Sequence, residues 1–356
     1  METKPLRVLS LFDGISCARV ALGNRPVSWY GASEIDINAI AVSFDNHRDI
    51  TPLGDVCDVS GVRDIDLLIA GSPCTDLSIA KKDRQGLKGD HSKLFYEFLR
   101  ILRETKPRYF ILENVASMKK EDRDEITKMV GVVPIMIDAA LVSAQSRKRY
   151  FWTNIAVKGL PEDRNIKLKD ILEQNVAEEF YTNSTAKRVM KAVKTGDEKA
   201  NCLLATSWKG AGANGMTNIG HLGNTNSQGN RIYDTEGKAC TLSANGGGLG
   251  AKTGLYQVGT SIRAHKIGEE WVNKIEYRND NKVSALTATF AGKLALVGEL
   301  EQKEVKRIRK LTPTECERLQ SLPDGYTKCL SKTQRYKSLG NAFNVEVIKF
   351  ILSFLQ

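Results

Sequence analysis

Apolar positions in the first half of the chain fall into short runs separated by amphipathic stretches. Residues 6–12 (LRVLSLF), 28–34 (SWYGASE), 65–70 (IDLLIA), 108–113 (RYFILE) and 134–140 (PIMIDAA) predict strands, and 15–23, 36–46, 92–104 and 119–130 carry helical patterns. Strands alternating with helices predict βαβ units, and so an α/β domain whose mostly parallel sheet is covered by helices on both faces. In such a sheet ligands collect outside the carboxyl ends of the strands. The distinctive short motifs of this chain all sit at strand ends, which is where chemistry is expected.

The pattern changes after about residue 157. Residues 206–250 are rich in Gly and Asn and lack helical periodicity, which predicts turns and short strands. A second, smaller, irregular and β-rich domain is expected over 158–310. Within it Lys-x-x-x-Leu-x-Ala recurs at 199–205, 238–244 and 282–288, either by chance or as three similar strands with one buried face. Order returns near 311. There "TPTE" (312–315) is a capping box with proline at the first helical position, opening a helix through about Leu319. An apolar stripe over 341–355 predicts a last helix docked on the α/β domain. The chain thus divides into 1–157, 158–310 and 311–356.

The 356 residues carry a formal net charge of +10, which suits a polyanionic partner. Residues 158–310 hold 24 Lys and Arg against 17 Asp and Glu, and "KEVKRIRK" (303–310) is the densest run. Such a run is either a solvated face or a contact for phosphates. The seven cysteines, at 17, 57, 74, 202, 240, 316 and 329, include no C-x-x-C pair. That argues against a zinc site or a disulfide framework, so no metal is expected. No apolar stretch approaches the ~18 residues that span a bilayer. The opening "METKPLRVLSLFDG" lacks the apolar core of a signal peptide. An intracellular protein without membrane contact is expected.

"GSPCTDLS" (71–78) places Pro73 and Cys74 directly after a predicted buried strand. Cys74 is open to four readings: apolar filler, metal ligand, half a disulfide, or nucleophile. "SLFDGIS" (10–16) ends the first strand in Asp-Gly without a G-x-G-x-x-G, which counts against a dinucleotide cradle and a nicotinamide oxidoreductase. Glu34 ends the second strand, where an acid accepts hydrogen bonds from ribose hydroxyls, unless it is a plain surface acid. Glu113-Asn114 closes "RYFILEN" in surroundings apolar enough to favour a protonated carboxyl that can serve as an acid; a helix cap is the alternative. "AQSRKRYFW" (144–152) alternates Gln145, Arg147 and Arg149 on one face of an extended segment, around an anion or carbonyl oxygen or along a solvated edge.

Taken in order, FDGIS, Glu34, Gly54-Asp55, Gly71-Ser72-Pro73-Cys74, Glu113-Asn114-Val115, Gln145-x-Arg147-x-Arg149 and Gly340-Asn341 resemble the DNA (cytosine-5)-methyltransferase family. The resemblance covers about 6–155 and 306–356. The wording "LSLFDGIS", "GSPCTDLSIA" and "LENVASM" is closest to the animal de novo enzymes and to bacterial or viral relatives. It implies a Rossmann-like catalytic domain that binds S-adenosyl-L-methionine and releases S-adenosyl-L-homocysteine. It further implies a target-recognition domain over 158–310, double-stranded DNA as partner, and a monomer with no obligate protein partner. The absence of an accessory reader domain points to a bacterial cytoplasm or a virus-infected host cell.

By the same resemblance Cys74 is the nucleophile that adds to C6 of a flipped-out cytosine. Glu113 binds N3 and the exocyclic amine and supplies a proton, while Arg147 and Arg149 hold the O2 edge. Phe12, Asp13, Gly14 and Ile15 line the cofactor turn, Glu34 meets the ribose, and Asp55 the adenine amine. Ile35 stands where the family often stacks an aromatic ring on adenine. Pro73 joins the cofactor contacts, and Asn341 with Ala342 meets the methionine end. Ser16 and Ala342 depart from the family's usual glycine and serine.

The polar stretch 75–93 looks like the loop that closes over DNA in this family. In the middle domain Lys238 and Lys282 are expected on phosphates, with the loops 208–230 and 245–252 facing base edges. Two rivals share the scaffold. One is a tRNA cytosine-5 methyltransferase, whose Cys-Phe-Thr signature is missing. The other is a non-catalytic relative, which would have no use for Cys74, Glu113 and both arginines.

Overall fold

The computed structural model describes residues 4–73, 93–181, 218–221, 231–234, 238–242, 255–258, 261–267, 270–276 and 307–356. Seven strands form one sheet: β1 (Leu6–Leu11), β2 (Val27–Ser33), β3 (Ile50–Gly54), β4 (Leu67–Gly71), β5 (Tyr109–Val115), β6 (Ile135–Asp138) and β7 (Lys148–Thr153). Their order is β3-β2-β1-β4-β5-β7-β6. β7 runs antiparallel to β5 and β6, and every other pair is parallel. The helices are α1 (Cys17–Leu22), α2 (Ile37–Asn46), α3 (Lys93–Thr105) and α4 (Lys120–Val130), then α5 (Pro313–Leu319), α6 (Lys332–Asn341) and α7 (Val345–Leu352) near the C-terminus. This is the Rossmann-like architecture that the alternating pattern predicts.

Side chains of a strand alternate between faces, so a sheet covered on both sides needs apolar residues at every position. β4 shows it. Leu67 and Ile69 join one core cluster with Val8, Ile111, Ala18 of α1 and Ile348 of α7. Leu68 and Ala70 join another with Leu9, Leu112, and Phe95 and Phe98 of α3. Each fully buried Leu or Ile contributes about 1.5–3 kcal/mol, so the sheet centre anchors the domain. The strand order reverses between β1 and β4, which opens a crevice at their carboxyl ends.

Two elements differ from the sequence pattern. β3 carries Pro52, which lacks an N–H; it forms because it lies at the sheet edge, where that donor is not needed. The apolar stripe over 341–355 is not one helix. The Asn344 side chain accepts a hydrogen bond from the Val347 N–H (3.2 Å) and caps α7, so the chain breaks after Asn341. The break leaves Ala342 and Phe343 outside both helices, beside the crevice. The expected capping box at Thr312 is present, with Glu315 N–H donating to Thr312 Oγ1 (3.1 Å) and Thr312 N–H to Glu315 Oε2 (2.8 Å).

The middle region holds β8 (Asn218–His221), β9 (Arg231–Asp234), β10 (Leu255–Val258), β11 (Ser261–Ile267), β12 (Glu270–Glu276) and β13 (Arg307–Arg309). β13-β10-β9-β8 make a four-stranded sheet, and β11 pairs with β12 as an antiparallel hairpin. Part of the stretch 208–230, expected as a loop, is therefore the strand β8. The Lys-x-x-x-Leu-x-Ala copies at 199–205 and 282–288, with Lys282, and the loop 245–252 lie outside the described residues. Of the second copy, residues 238–242 form no strand; Ala239 makes a single bridge to Gln145.

Lys238 corrects the expectation of a phosphate contact. It is buried, and its ammonium donates to the carbonyl oxygens of Ser143 (3.2 Å) and Ile166. Within "KEVKRIRK", Arg309 is equally turned inward. Its guanidinium makes two bonds of 2.6 and 2.7 Å to Glu315, both side chains being almost wholly buried. Removing one partner of such a pair strands a charge away from water. Glu315→Gln should therefore destabilise the fold by about 3–5 kcal/mol. The double variant Arg309→Met/Glu315→Gln removes the stranded charge, keeps a side-chain oxygen for the Thr312 N–H, and should recover most of that loss, as read by urea unfolding of each protein.

Candidate active site

The turn after β1 is built from left-handed backbone. Phe12, Gly14 and Ser16 have φ of 56°, 58° and 59°, a conformation that costs a side-chain-bearing residue on the order of 1–3 kcal/mol. What holds it is Asp13. Its carboxylate accepts from Tyr30 OH (2.7 Å) and Ser16 Oγ (2.5 Å), and its N–H donates to Ser33 O (3.1 Å). Burial pushes the Asp13 carboxyl above the usual carboxylate range, while these hydrogen bonds oppose the shift. The Asp13 side chain thus faces inward as the anchor of the turn.

Glu34, at the end of β2, reaches across to that turn. Its Oε2 accepts from Gly14 N–H (2.8 Å), and its Oε1 from the N–H groups of Ile35 and Asp36 (2.8 Å each). An ionised carboxylate offers about four acceptor sites, so one remains open. After β3 the exposed Asp55 accepts from Cys57 N–H (2.9 Å) and also pairs with the Cys57 thiol.

β4 ends in Gly71, followed by Ser72 and Pro73; Cys74 lies outside the described residues. Asn114, from the end of β5, holds this exit. Its Nδ2 donates to Ser72 Oγ (3.0 Å) and Ser72 O (3.3 Å). Gly71 is required where it stands. A Cβ there would lie 2.5 Å from the ring of Phe343 and 3.7 Å from Glu113 Oε2.

The Glu113 carboxylate is not isolated in apolar surroundings, as its strand suggested. It pairs with Arg149 Nε at 2.7 Å, on side chains 12% and 15% exposed. Arg147 does not stand beside Arg149 as a matched pair, because β7 begins only at Lys148 and the alternation starts there. The Arg147 guanidinium instead turns to the break after α6. It donates to Ala342 O (2.8 Å) and Gly340 O (3.4 Å). Gln145 is wholly buried, and neither its side-chain oxygen nor its nitrogen has a hydrogen-bond partner among the described residues.

These groups converge on a cavity of about 350 Å³, within the ~300–1,000 Å³ of small-molecule sites. Phe12, Asp13, Gly14, Ile15, Glu34, Ile35, Asp55, Pro73, Glu113, Arg147, Arg149, Asn341 and Ala342 all line it. The described catalytic and cofactor-binding candidates are therefore at one place, while Gln145 and Lys238 are outside the lining. Sequence reasoning missed Asp36, Val56, Leu94, Ser338 and Phe343, which share the lining. Asp36 and Phe343 had a signal, since each directly follows a motif residue. Leu94 and Ser338 had none. Among the described residues no group of His, Cys, Asp and Glu could hold a metal ion, and no helix is long and apolar enough to cross a membrane.

Residues 6–356 match the family described as C-5 cytosine-specific DNA methylase. The chain belongs to that family. Curated relatives include the orphan methyltransferase M.SPRI of Bacillus phage SPR, 26% identical over 98% of this chain and 97% of its own length. The type II methyltransferase M.HhaI of Haemophilus parahaemolyticus is 28% identical over 97% of this chain and 93% of its own. Among solved structures, the methyltransferase EhMeth of Entamoeba histolytica superposes with a TM-score of 0.61 at 14% identity, covering 99% of this chain and 98% of that one. The Dnmt2 methyltransferase of S. pombe gives 0.55 at 17% identity, covering 98% and 97%. This methylase therefore shares its fold with both and methylates cytosine at C5 in DNA.

Overpacking at the floor of the site is directly testable. Gly71→Ala should displace the Phe343 ring at a cost of about 1–3 kcal/mol. Adding Phe343→Ala should relieve the clash, so the double variant should melt no lower than Phe343→Ala alone.

Proposed function

We propose that this methylase works through Cys74, with Glu113 as its acid and S-adenosyl-L-methionine as methyl donor, on a cytosine turned out of duplex DNA. The observation that carries the reading is the convergence of the described catalytic and cofactor-binding candidates on one cavity at the reversal of strand order. The division into a catalytic domain (1–157), a target-recognition domain (158–310) and a returning C-terminal segment (311–356) belongs to the same reading. It is supported by α7, which packs on α1, and by residues of the 338–343 stretch, which line one side of the cavity. The bacterial and phage sources of M.HhaI and M.SPRI support a bacterial or phage setting.

The lining fits the donor. The open acceptor site of Glu34 suits a ribose hydroxyl, and the exposed Asp55 carboxylate in the cavity lining suits an exocyclic amine. Arg147 fixes the backbone at Gly340 and Ala342, where the amino-acid end would lie. When bound, S-adenosyl-L-methionine supplies an electrophilic methyl group on a sulfonium centre.

The chain's own residues make cytosine able to take that methyl. C5 of cytosine is a weak nucleophile. Addition of the Cys74 thiolate to C6 breaks the aromaticity and gives C5 enamine character. Glu113, steadied by Arg149, supplies the proton that N3 takes up as negative charge builds on the ring. Loss of the C5 proton to water and departure of Cys74 as a thiolate then restore the C5–C6 double bond, and N3 returns its proton to the Glu113 carboxylate, leaving the aromatic ring with its new methyl group. A base inside a duplex is out of reach of such groups, so the cytosine must be extruded.

The described cysteines support the choice of nucleophile. Burial pushes the Cys17 and Cys316 thiols up. Cys57, at the cavity edge, is raised mainly by its hydrogen bond with Asp55. None of these is a thiolate near neutrality.

Cys74→Ala should abolish methyl transfer while cofactor affinity, measured by calorimetry, stays within about threefold, since the turn, Glu34 and Asp55 are intact. Duplex DNA containing 5-fluorocytosine should trap the wild-type protein as a covalent adduct, because fluorine cannot leave as the proton does. Absence of that adduct would remove the covalent mechanism, and transfer to total tRNA but not DNA would replace the substrate. Glu113→Gln keeps the hydrogen bond but not the proton and should lower kcat by at least ~10²-fold in a single-turnover assay.

A further inference from the structure

Residues 238–242 come from the middle region yet are built into the wall of the catalytic domain. Ala239, Cys240 and Leu242 are buried within its apolar core. Ala239 N–H donates to Ala144 O (2.9 Å), and Ser146 N–H donates to Ala239 O (3.1 Å). Thr241 Oγ1 donates to Ser146 O (2.6 Å). The contact is a short backbone ladder, closed at one end by the Lys238 ammonium.

Lys238 as a whole is only 8% exposed, and its ammonium donates to Ser143 O and Ile166 O. Burial lowers its pKa and the charge of Lys167 adds to that, while the charges of Asp163, Asp138 and Asp170 oppose the shift. A lysine facing phosphate would be solvated and free to reach. This one is bonded inward, and truncating it would leave two carbonyl oxygens without their donor.

The segment it grips, 143–147, leads to the cavity by two routes. Asn344 Nδ2 donates to Ser143 Oγ (3.2 Å), beside Phe343. At the other end Asp138 accepts from Arg147 N–H (2.8 Å), and the Arg147 guanidinium holds Gly340 O and Ala342 O. A shift of 143–147 would therefore move Phe343 and the Gly340–Ala342 turn together. An error on the order of 1 Å at such a place is enough to cost about 10²-fold in rate.

We propose that Lys238 is a positioning residue for methyl transfer, seating the segment 143–147 and, through Ser143 and Arg147, the cavity wall at Gly340–Phe343. The inference rests on the functional reading above, in that the wall it seats is the one that would hold the methyl donor. It couples the target-reading part of the chain to the chemistry without any contact to DNA.

The test uses the full chain on duplex DNA. Lys238→Met keeps the apolar stem and removes the donor; Ser143→Ala cuts the link to Asn344 and leaves Lys238 in place. We expect Lys238→Met to lower kcat about tenfold and Ser143→Ala about threefold, with the salt dependence of DNA binding unchanged in both. A lysine on phosphate would instead reduce the salt slope by about 1 and leave kcat near wild type. Because both residues act on one chain of contacts, the double variant should lose much less than the product of the single losses. Wild-type kcat in both variants, a reduced salt slope in Lys238→Met, or multiplicative losses would each overturn the proposal. If Lys238→Met does not fold, Ser143→Ala decides by the same kcat and salt criteria. If the wild-type protein transfers no methyl to DNA, the functional reading itself falls and takes this inference with it.

Discussion

The guanidinium of Arg147 binds together two parts of the chain that are almost two hundred residues apart. It is buried, and its bonds to Gly340 O and Ala342 O close the side of the cavity that no residue of the first 157 could close. An arginine cannot shed its charge, so once buried it must be met by oxygens. Here those oxygens are backbone carbonyls freed by the break between α6 and α7. The break exists because Asn344 caps α7 with its side chain. Cap, break, carbonyls and guanidinium depend on one another, and the rest of the site is arranged around them.

The same economy of contacts appears on the other walls. Asp13 holds a turn of unfavourable backbone, and the turn presents Gly14 N–H to Glu34. Asn114 fixes the chain at Ser72, one residue before Pro73 and two before Cys74. Glu113 and Arg149 neutralise each other on neighbouring strands of one sheet. In each case a polar group that burial would penalise is met by a specific partner from elsewhere in the sheet or its turns. That is why residues scattered over the chain are found at one cavity.

The middle region is joined to this frame at 238–242, beside the segment that carries Arg147. Basic composition alone suggested a surface of phosphate contacts. Two of the cations that prompted it, Lys238 and Arg309, are inside the protein, one on carbonyl oxygens and one on a carboxylate. Net charge constrains what a surface attracts; it does not say which charges are on the surface.

Much of the fold was legible because its causes are local. Apolar runs of strand length with no polar position, such as "LLIA", require a sheet covered on both faces, and alternation with helical patterns makes that sheet parallel. The capping box at Thr312 and the strand ends at Glu34, Gly71 and Glu113 follow from residue type and position. The motifs, in their order, sufficed to name the family. Other features depended on contacts that no local pattern encodes. The period of two put Arg147 and Arg149 on one face, but the strand starts at Lys148, so one arginine went to backbone carbonyls and the other to Glu113. The helical stripe at 341–355 gave no hint that Asn344 would cap rather than continue. β3 was hidden by Pro52, which only an edge position tolerates. Lys238 reads as a surface cation in any window of sequence, and burial among Ser143, Ile166 and three aspartates is decided by where distant segments pack. Local chemistry set the elements and the reacting groups; tertiary packing decided which polar group each one would face, because hydrogen-bond partners are assigned by proximity in space and not along the chain.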